Sequence, residues 1–277
     1  MTAPVFSDLA LSRRLERAEG RAGSRYVEAH ARLEPQSGAE WTEMAGAYAM
    51  YDGPRSPVTQ TFCLGLFQTA AGTDLDRIEA FYRKRGAPIM HEVSPLADKA
   101  VMPLLCARGY QPIELTSVMY LPLAGRPAPD LPRNGNIRTR MIEEPDQEIW
   151  ARTSLEGWKG LVEFDDILLD LMRMVAAVEG GKRFLAELDG RPIAAGALNI
   201  DNEVALLAGA STIPEARSQG AQRALLEARL RYAAESGCVL AMMGAEPGSA
   251  SQRNAERQGF RIAYTRVKWG LECATRE

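Results

Sequence analysis

Hydrophobic residues in the second half of the chain recur with the two-residue period of strands or the wider spacing of helices. The alternating or continuous apolar runs predict strands over 137–141, 183–188, 192–200, 203–210, 238–243 and 260–271. The helically spaced runs predict helices over 147–156, 165–178, 223–236 and 249–258. The predicted order is therefore β-α-α-β-β-β-α-β-α-β. Because a helix connects the strand 203–210 to the strand 238–243, we expect these two strands to run parallel.

The first half of the chain repeats the end of this pattern. Residue spacing predicts helices over 74–85 and 98–108 and strands over 87–93 and 111–121. The sequence RGYQ near the last of these strands matches QGFR before the strand 260–271, and both lead into β-branched and aromatic residues. The matching order and residues indicate an internal duplication.

A segment rich in proline divides the two halves. It covers 126–136 and has no hydrophobic period, so it is predicted to be a linker. The linker separates a predicted domain over 1–125 from a second over 137–277. A chain of 277 residues is long enough for two domains of about 130 residues each.

Composition narrows the class of protein. The chain has 46% hydrophobic residues, 25% charged residues and a net charge of −3, which is ordinary for a globular protein and does not favour a nucleic-acid-binding surface. No apolar run approaches the length of a membrane span, and the N-terminus lacks the features of a signal peptide. We therefore expect a cytoplasmic protein with neither membrane nor nucleic-acid partners.

Cysteine and histidine give no indication of a metal site. The two histidines, His30 and His91, are far apart and are expected to be surface or strand residues. The cysteines are widely spaced, without a metal-binding pattern, and two of them lie in apolar runs typical of a core. These two are Cys63 and Cys238. A reducing compartment and the absence of a metal cofactor are the expected consequences.

The loop between the strand 203–210 and the helix 223–236 carries Arg217 and Gly220, three residues apart. The start of a helix has backbone N–H groups without partners and the positive end of the helix dipole. Gly220 lets the backbone approach a ligand closely, and Arg217 or Arg223 adds charge-assisted hydrogen bonds. The pattern predicts a phosphate-binding site formed by the N–H groups from Ser218 to Arg223.

This order of elements, with Arg217-Ser218-Gln219-Gly220-Ala221-Gln222 at the helix start, resembles the GNAT superfamily of acyl-CoA-dependent N-acyltransferases. Their acyl-CoA loop has the form [Q/R]-x-x-G-x-[G/A], from which Gln222 departs. Asn254, followed by a Gly-Phe turn, is similar to the family segment that contacts the pantetheine arm. The resemblance implies a mixed α/β fold of two GNAT-like domains, each a twisted mixed sheet flanked by helices with a parallel βαβ core.

The first domain is expected to be a degenerate copy that does not bind CoA. Its corresponding helix starts with Asp74 and Asp76, which suit the helix dipole themselves and would repel a diphosphate. It would instead support the second domain or shape the acceptor pocket.

For the second domain the resemblance implies acetyl-CoA as co-substrate and direct attack by an amine in a ternary complex. Backbone N–H groups at Ala210, Ser211 and Thr212 would then bind the thioester oxygen. The position of the family's usual tyrosine is Ala255 in this chain. The remaining candidates are Tyr264 and Ser251 for proton transfer, Glu203 as base and Trp158 over the acceptor.

Two other functions stay open at this point. A non-catalytic acyl-CoA-binding or interaction protein would explain the missing tyrosine and Gln222, and a nucleotide-binding α/β domain is a weaker alternative because no P-loop motif is present. The acceptor is a small-molecule or peptide amine whose identity the sequence does not give. The protein is expected to be a monomer, with an internal pseudo-dimer, or a homodimer.

Overall fold

The computed structural model describes residues 5–125, 134–159 and 165–271. The chain forms two compact units, one built from 3–121 together with 242–277, and one from 122–241. This division differs from the predicted domains, because the last helix and strand of the chain pack in the first unit. Most of the predicted linker, 126–133, lies outside the described residues.

Among its described residues, the first half of the chain has three α-helices and five strands. In chain order these are α1 (Leu9–Leu33), β1 (Glu40–Met44), β2 (Ala47–Tyr51), β3 (Gln60–Phe62), α2 (Gly72–Arg83), β4 (Ile89–Val93), α3 (Val101–Ala107) and β5 (Gln111–Pro122). The four elements predicted from the sequence are present with shifted ends. Helix α1 and strands β1 to β3 precede the predicted pattern.

The described part of the second half has four α-helices and six strands, all of them predicted. In chain order these are β6 (Ile137–Met141), α4 (Gln147–Trp158), α5 (Asp165–Ala177), β7 (Lys182–Leu188), β8 (Arg191–Asp201), β9 (Val204–Thr212), α6 (Ala221–Glu235), β10 (Leu240–Ala245), α7 (Ala250–Arg257) and β11 (Arg261–Leu271). Strand β10 contains the point where the chain passes from the second unit into the first.

In the first unit the strands follow the order β1-β2-β3-β4-β11-β5. Strands β3 and β4 are parallel and are joined by α2, as expected of a βαβ connection. Strand β11 lies between β4 and β5 and is antiparallel to both. Strands β5 and β11 are the matched strands of the two halves, and they pair with Thr265 opposite Ser117. This local two-fold relation supports the predicted duplication.

A buried cluster of charges joins α1 to the sheet of the first unit. The Arg266 guanidinium on β11 donates to Glu92 at 2.8 Å, to Glu19 at 2.7 Å and to Glu16 at 3.2 Å. Glu16 is fully buried, and this burial raises the pKa of its carboxyl to about 7. Helix α1 thus buries polar residues as well as Leu15, which explains why hydrophobic periodicity did not predict it.

The buried histidine and cysteines follow the sequence expectations. His91 is a fully buried strand residue whose Nε2 lies 3.1 Å from the Tyr110 hydroxyl. Burial lowers the pKa of its imidazole to about 3. Cys63 and Cys238 are buried, as predicted.

In the second unit the strands β9, β8, β7 and β6 form an antiparallel sheet in that order. Helices α4 and α5 cover one face through a core centred on Trp150 and Met172. Helix α6 covers the other face, where Tyr232 meets Phe184 edge to face. Strand β9 has a bulge, because Ala195 pairs with Ser211 but Ala197 pairs with Ala208.

Among the described residues, no helix is long and apolar enough to cross a membrane. The same part of the chain holds no group of three or more His, Cys, Asp or Glu side chains placed to share a metal ion.

Candidate functional site

The loop between β9 and α6 ends in a helix start that no described side chain caps. Gly220 is the N-cap of α6 and has φ +99°, and Ser218 has φ +64°. Chain neighbours aside, no described heavy atom lies within 4 Å of the position that a Cβ on Gly220 would take. No described side chain caps α6. The start of α6 therefore combines a first turn without a side-chain cap and open space beside its N-cap glycine, two features that an anion site requires.

Arg217 connects this loop to the end of α4. Its Nε donates to the Thr212 carbonyl oxygen at 3.3 Å, and its Nη2 donates to the Gly157 carbonyl oxygen at 3.2 Å. The residue is exposed. Its positive charge therefore lies at the surface of the loop, and its hydrogen bonds connect the loop to the C-terminal end of α4.

Gln222, which departs from the family motif, is bonded back to β9. Its Nε2 donates to the Thr212 hydroxyl oxygen at 2.8 Å. The side chain therefore bridges the first turn of α6 and the end of β9. The neighbouring Gln219 amide donates to the Glu215 carbonyl oxygen at 3.3 Å and stays on the loop itself. Ala221 is buried and Arg223 is half-buried in the same turn.

The end of α4 packs directly on the end of β9. The Ser211 hydroxyl donates to the Ser154 carbonyl oxygen at 2.9 Å. A Cβ on Gly157 would lie 2.4 Å from the Ser211 Oγ and 2.8 Å from the Thr212 backbone nitrogen. Only glycine allows this approach. Sequence reasoning missed the contact, although a glycine within a helical pattern marks a close approach or a helix end.

The backbone register separates the N–H groups predicted to bind the thioester oxygen. The Ile213 N–H donates to the Ile193 carbonyl oxygen at 2.9 Å, which fixes the alternation of the ladder. The N–H of Ser211 consequently points towards β8, and that of Thr212 points away from β8. Ala210 lies in the bulge, after Gly209 with φ +58°.

A buried arginine lies behind the bulge. The Arg229 Nη1 donates to the Ala197 carbonyl oxygen at 3.1 Å and to the Ala208 carbonyl oxygen at 3.4 Å. A Cβ on Gly196 would be 3.1 Å from the guanidinium carbon. Burial without a carboxylate partner lowers the pKa of Arg229 to about 10. Gly196 lies inside a predicted strand, where a glycine often marks such a close approach.

Glu203 is not brought to the loop. It lies in the turn before β9, where its carbonyl oxygen accepts from the Val239 and Leu240 N–H groups at 2.9 and 3.2 Å. All of β9 separates it from Thr212, a distance of roughly 30 Å for a nine-residue strand. The structure therefore gives no support to Glu203 as a base at the end of β9.

Three other predicted residues lie in the first unit. The Tyr264 hydroxyl donates to the Glu16 carboxylate at 3.0 Å, and burial raises the pKa of this phenol above its usual range. Ser251 is exposed in the first turn of α7, whose N-cap is Ser249. Asn254 is exposed, and its Oδ1 accepts from the Arg257 guanidinium at 3.0 Å. Their roles toward a substrate stay predictions.

Trp158, the predicted acceptor contact, is the last residue of α4 and is half-buried. The segment that follows it, 160–164, lies outside the described residues. The position of Trp158 agrees with the expected connection between two helices, and its contact with an acceptor stays a prediction.

Residues 144–260 match the model of the acetyltransferase (GNAT) family. This part of the chain is therefore similar to a GNAT domain. This match includes the loop 217–223 and the short helix α7, the two segments on which the resemblance rests. No curated protein matches the chain.

Solved structures extend the likeness to the whole chain. A GCN5-related N-acetyltransferase from Kribbella flavida is similar with a TM-score of 0.64 and 17% identity, over 90% of this chain and 96% of that chain. A tandem GNAT protein from the clavulanic acid biosynthesis pathway has a TM-score of 0.61 and 13% identity, over 99% of both chains. The predicted fold class and the tandem GNAT arrangement are confirmed.

Proposed function

We propose that this protein is an acetyl-CoA-dependent N-acetyltransferase whose acetyl-CoA site is the loop 217–223. The observation that carries the proposal is the uncapped start of α6 with open space beside Gly220. A diphosphate requires such a set of converging N–H groups and a glycine that lets it approach. The GNAT match over these residues supports the same ligand.

Different residues of the second unit would bind different parts of this ligand. The N–H groups at the start of α6 bind the diphosphate, and Arg217 adds positive charge. The Thr212 N–H, which points out of the ladder with β8, would donate to the thioester oxygen as negative charge develops there. In the reaction the amine nitrogen bonds to the acetyl carbon, the carbon–sulfur bond breaks, the amine loses a proton and the thiolate gains one.

The acceptor is proposed to be a small-molecule or peptide amine, which must be neutral to attack. A base or a water chain must therefore take its proton. Glu203 lies at the wrong end of β9 for this role. Tyr264 and Ser251 remain proposed proton-transfer residues.

The alternative is an acyl-CoA-binding protein without catalytic activity. One observation favours it: Ala255 stands at the position of the family's usual tyrosine, and the Tyr264 hydroxyl is already bonded to Glu16. The alternative shares the acetyl-CoA site but lacks the transfer step.

Acetyl-CoA binding and turnover by the full chain separate the two functions. Binding is measured by calorimetry, and turnover by release of free thiol over a panel of primary amines, amino acids and peptide N-termini. Binding together with amine-dependent thiol release supports the acetyltransferase. Binding without turnover across the panel supports the alternative, and failure to bind acetyl-CoA overturns both.

A further inference from the structure

A cleft lies in the second unit, away from the loop 217–223. Its volume is about 270 Å³. It lies between the end of β6, the start of α4, the end of α5 and the start of β7. Its lining includes Ile142, Glu143, Glu144, Ala176, Gly181 and Arg183.

The strand register places this cleft at the opposite end of the sheet from the proposed acetyl-CoA site. Lys182, at the start of β7, pairs with Leu198, which pairs with Leu207 in the first half of β9. Thr212 instead pairs with Ala194 near the start of β8. A ligand in the cleft is therefore separate from one bound at the start of α6.

Arg183 gives the cleft its chemistry. The residue is 3% exposed, and its guanidinium lies 5.9 Å from the centre of the Trp150 ring. Its Nε donates to the Val175 carbonyl oxygen at 2.7 Å, and its Nη1 donates to the Lys182 carbonyl oxygen at 3.2 Å. Within the described chain, Nη2 donates to no acceptor and no carboxylate pairs with this guanidinium.

A buried guanidinium without a carboxylate is costly, because the charge has left water without a counter-ion. Burial lowers the pKa of Arg183 to about 10, the direction expected of an uncompensated cation. A carboxylate on Nη2 would supply the missing acceptor and the missing negative charge.

Gly181 packs directly against the guanidinium of Arg183. A Cβ at this position would lie 2.5 Å from both Nη1 and Nη2. Its backbone is outside the left-handed region, so alanine is compatible with its conformation. A side chain at this position would therefore displace the guanidinium from its place at the cleft.

The rest of the lining describes the other parts of a ligand. Ile142 and Ala176 offer an apolar wall, and Glu143 and Glu144 are exposed carboxylates at the rim. We propose that the cleft binds a small aliphatic amino acid, with its carboxylate on Arg183, its side chain against the apolar wall and its ammonium group towards the rim carboxylates.

Three related probes test the proposal on the full chain. They are L-leucine, 4-methylpentanoate, which lacks only the ammonium group, and isoamylamine, which lacks only the carboxylate. Calorimetry or ligand-detected NMR should show that leucine binds, that 4-methylpentanoate binds about two- to five-fold more weakly because exposed ion pairs contribute little, and that isoamylamine does not bind. Binding of isoamylamine as tight as that of leucine, or no binding of either carboxylate, would overturn the proposal.

Two variants locate the site without removing Arg183. Gly181→Ala should weaken leucine at least ten-fold by crowding the guanidinium, and Glu144→Gln should bring the affinities of leucine and 4-methylpentanoate closer together. A thermal melt of each variant shows that the fold is retained. Unchanged leucine binding by a folded Gly181→Ala variant contradicts the proposal, whatever the acetyl-CoA measurements give.

Discussion

The two halves of the chain each have a strand–loop–helix segment in the same place, β3–α2 in the first and β9–α6 in the second. In the first, the Asp74 carboxylate accepts from the Ala71 N–H at 3.0 Å, and Arg108 donates to the Gly72 carbonyl oxygen at 2.7 Å. Among the described residues the first turn of neither helix has a side-chain cap, but α6 has no acidic side chain in its first turn, and the space beside Gly220 is open. The same backbone plan therefore carries its own negative charge at the first helix start and leaves the second start open to an anion.

The loops before the two helices differ in the same way. Arg13 on α1 donates to the Leu66 carbonyl oxygen at 2.7 Å, and the Arg17 guanidinium lies 4.2 Å from the centre of the Phe67 ring. Side chains of α1 thus cover the first loop. In the second unit the end of α4 packs closely on the end of β9 through Gly157, and no aromatic or arginine side chain of α4 is seen over the loop in the described residues.

Each helix also sends one side chain to the backbone between two strands. In the first half the Tyr82 hydroxyl accepts from the Met50 N–H at 3.2 Å and lies 2.9 Å from the Thr61 hydroxyl. In the second half Arg229 donates to Ala197 and Ala208 carbonyl oxygens around the bulge. A neutral group suffices where the strands pair regularly. Around the bulge, a guanidinium with several N–H groups donates to two carbonyl oxygens.

The sharpest way to break this comparison is to close the open helix start. Gly220→Val places a β-branched side chain at φ +99° and fills the space proposed for the diphosphate. The loss of two or more charge-assisted hydrogen bonds should weaken acetyl-CoA by about 1,000-fold in calorimetry. Gly72→Ala, at the start of α2, is the matched control and should leave this affinity unchanged. A comparable loss in both variants would mean that the two helix starts are not functionally different.

The buried charges of the first unit predict a dependence of stability on pH. The folded-state pKa of Glu16, about 7, is above its ordinary value of 4.5, so the folded state binds the proton more tightly than the unfolded state. The resulting stabilisation is present below pH 4.5 and is lost as the pH rises through 7. It amounts to at most about 3 kcal/mol.

The variant Glu16→Gln removes this titration. The free energy of unfolding of the natural protein relative to Glu16→Gln should therefore fall between pH 4.5 and pH 8, as measured by urea denaturation. Parallel stability curves for the two proteins across this range would show that Glu16 is ionised in the folded state throughout.

The close contact between α4 and β9 predicts a smaller loss. In Gly157→Ala the new Cβ meets Ser211 and the backbone of Thr212, which cannot move easily. The free energy of unfolding should therefore fall by about 2 kcal/mol. Gly23→Ala on α1 is the control, because its Cβ would meet the flexible end of Met50. That variant should be neutral or slightly stabilising, since alanine favours a helix. Equal losses in thermal or urea unfolding would contradict the distinction.

Local pattern was sufficient to predict the elements of the second half. Strand β6 lies at its predicted bounds, and the other strands and helices there differ only at their ends. The loop 217–223 was found because a glycine and an arginine at a helix start have a direct physical meaning. Helix α1 was missed because it buries Glu16 and Ser12 instead of a continuous apolar stripe.

The candidate site was less predictable because it depends on distant contacts. Pairing of β11 with β4 and β5 follows from the duplication as a whole, and no residue of β11 indicates it. The same pairing places Tyr264 against Glu16, which lies 248 residues away in sequence. Glu203 was proposed as a base because it lies close to the loop 217–223 in sequence. Strand β9 begins directly after Glu203 and runs towards the loop, so Glu203 lies at the opposite end of the strand from the loop.

The smallest expected effect concerns Gln222, which distinguishes the second loop from its family pattern. Its amide is bonded to the Thr212 hydroxyl at 2.8 Å and lies beside the space proposed for the diphosphate. Gln222→Ala should leave acetyl-CoA affinity unchanged or raise it by about threefold, because the side chain is removed while the backbone N–H remains. Gln222→Gly should change the affinity in the same direction, and it should also lower the free energy of unfolding by about 1 kcal/mol because glycine disfavours a helix.

Thr212→Val distinguishes crowding of the diphosphate by the Gln222 side chain from an effect of the hydrogen bond between Gln222 and Thr212. It removes the partner of the Gln222 amide but leaves the glutamine side chain in place, so it should not tighten acetyl-CoA in the same calorimetric titration. If Gln222→Ala instead weakens acetyl-CoA ten-fold while Thr212→Val does not, the amide is a ligand of the diphosphate. The departure from the family pattern would then strengthen the second loop, and the contrast with the closed first loop would rest on side chains as well as on backbone.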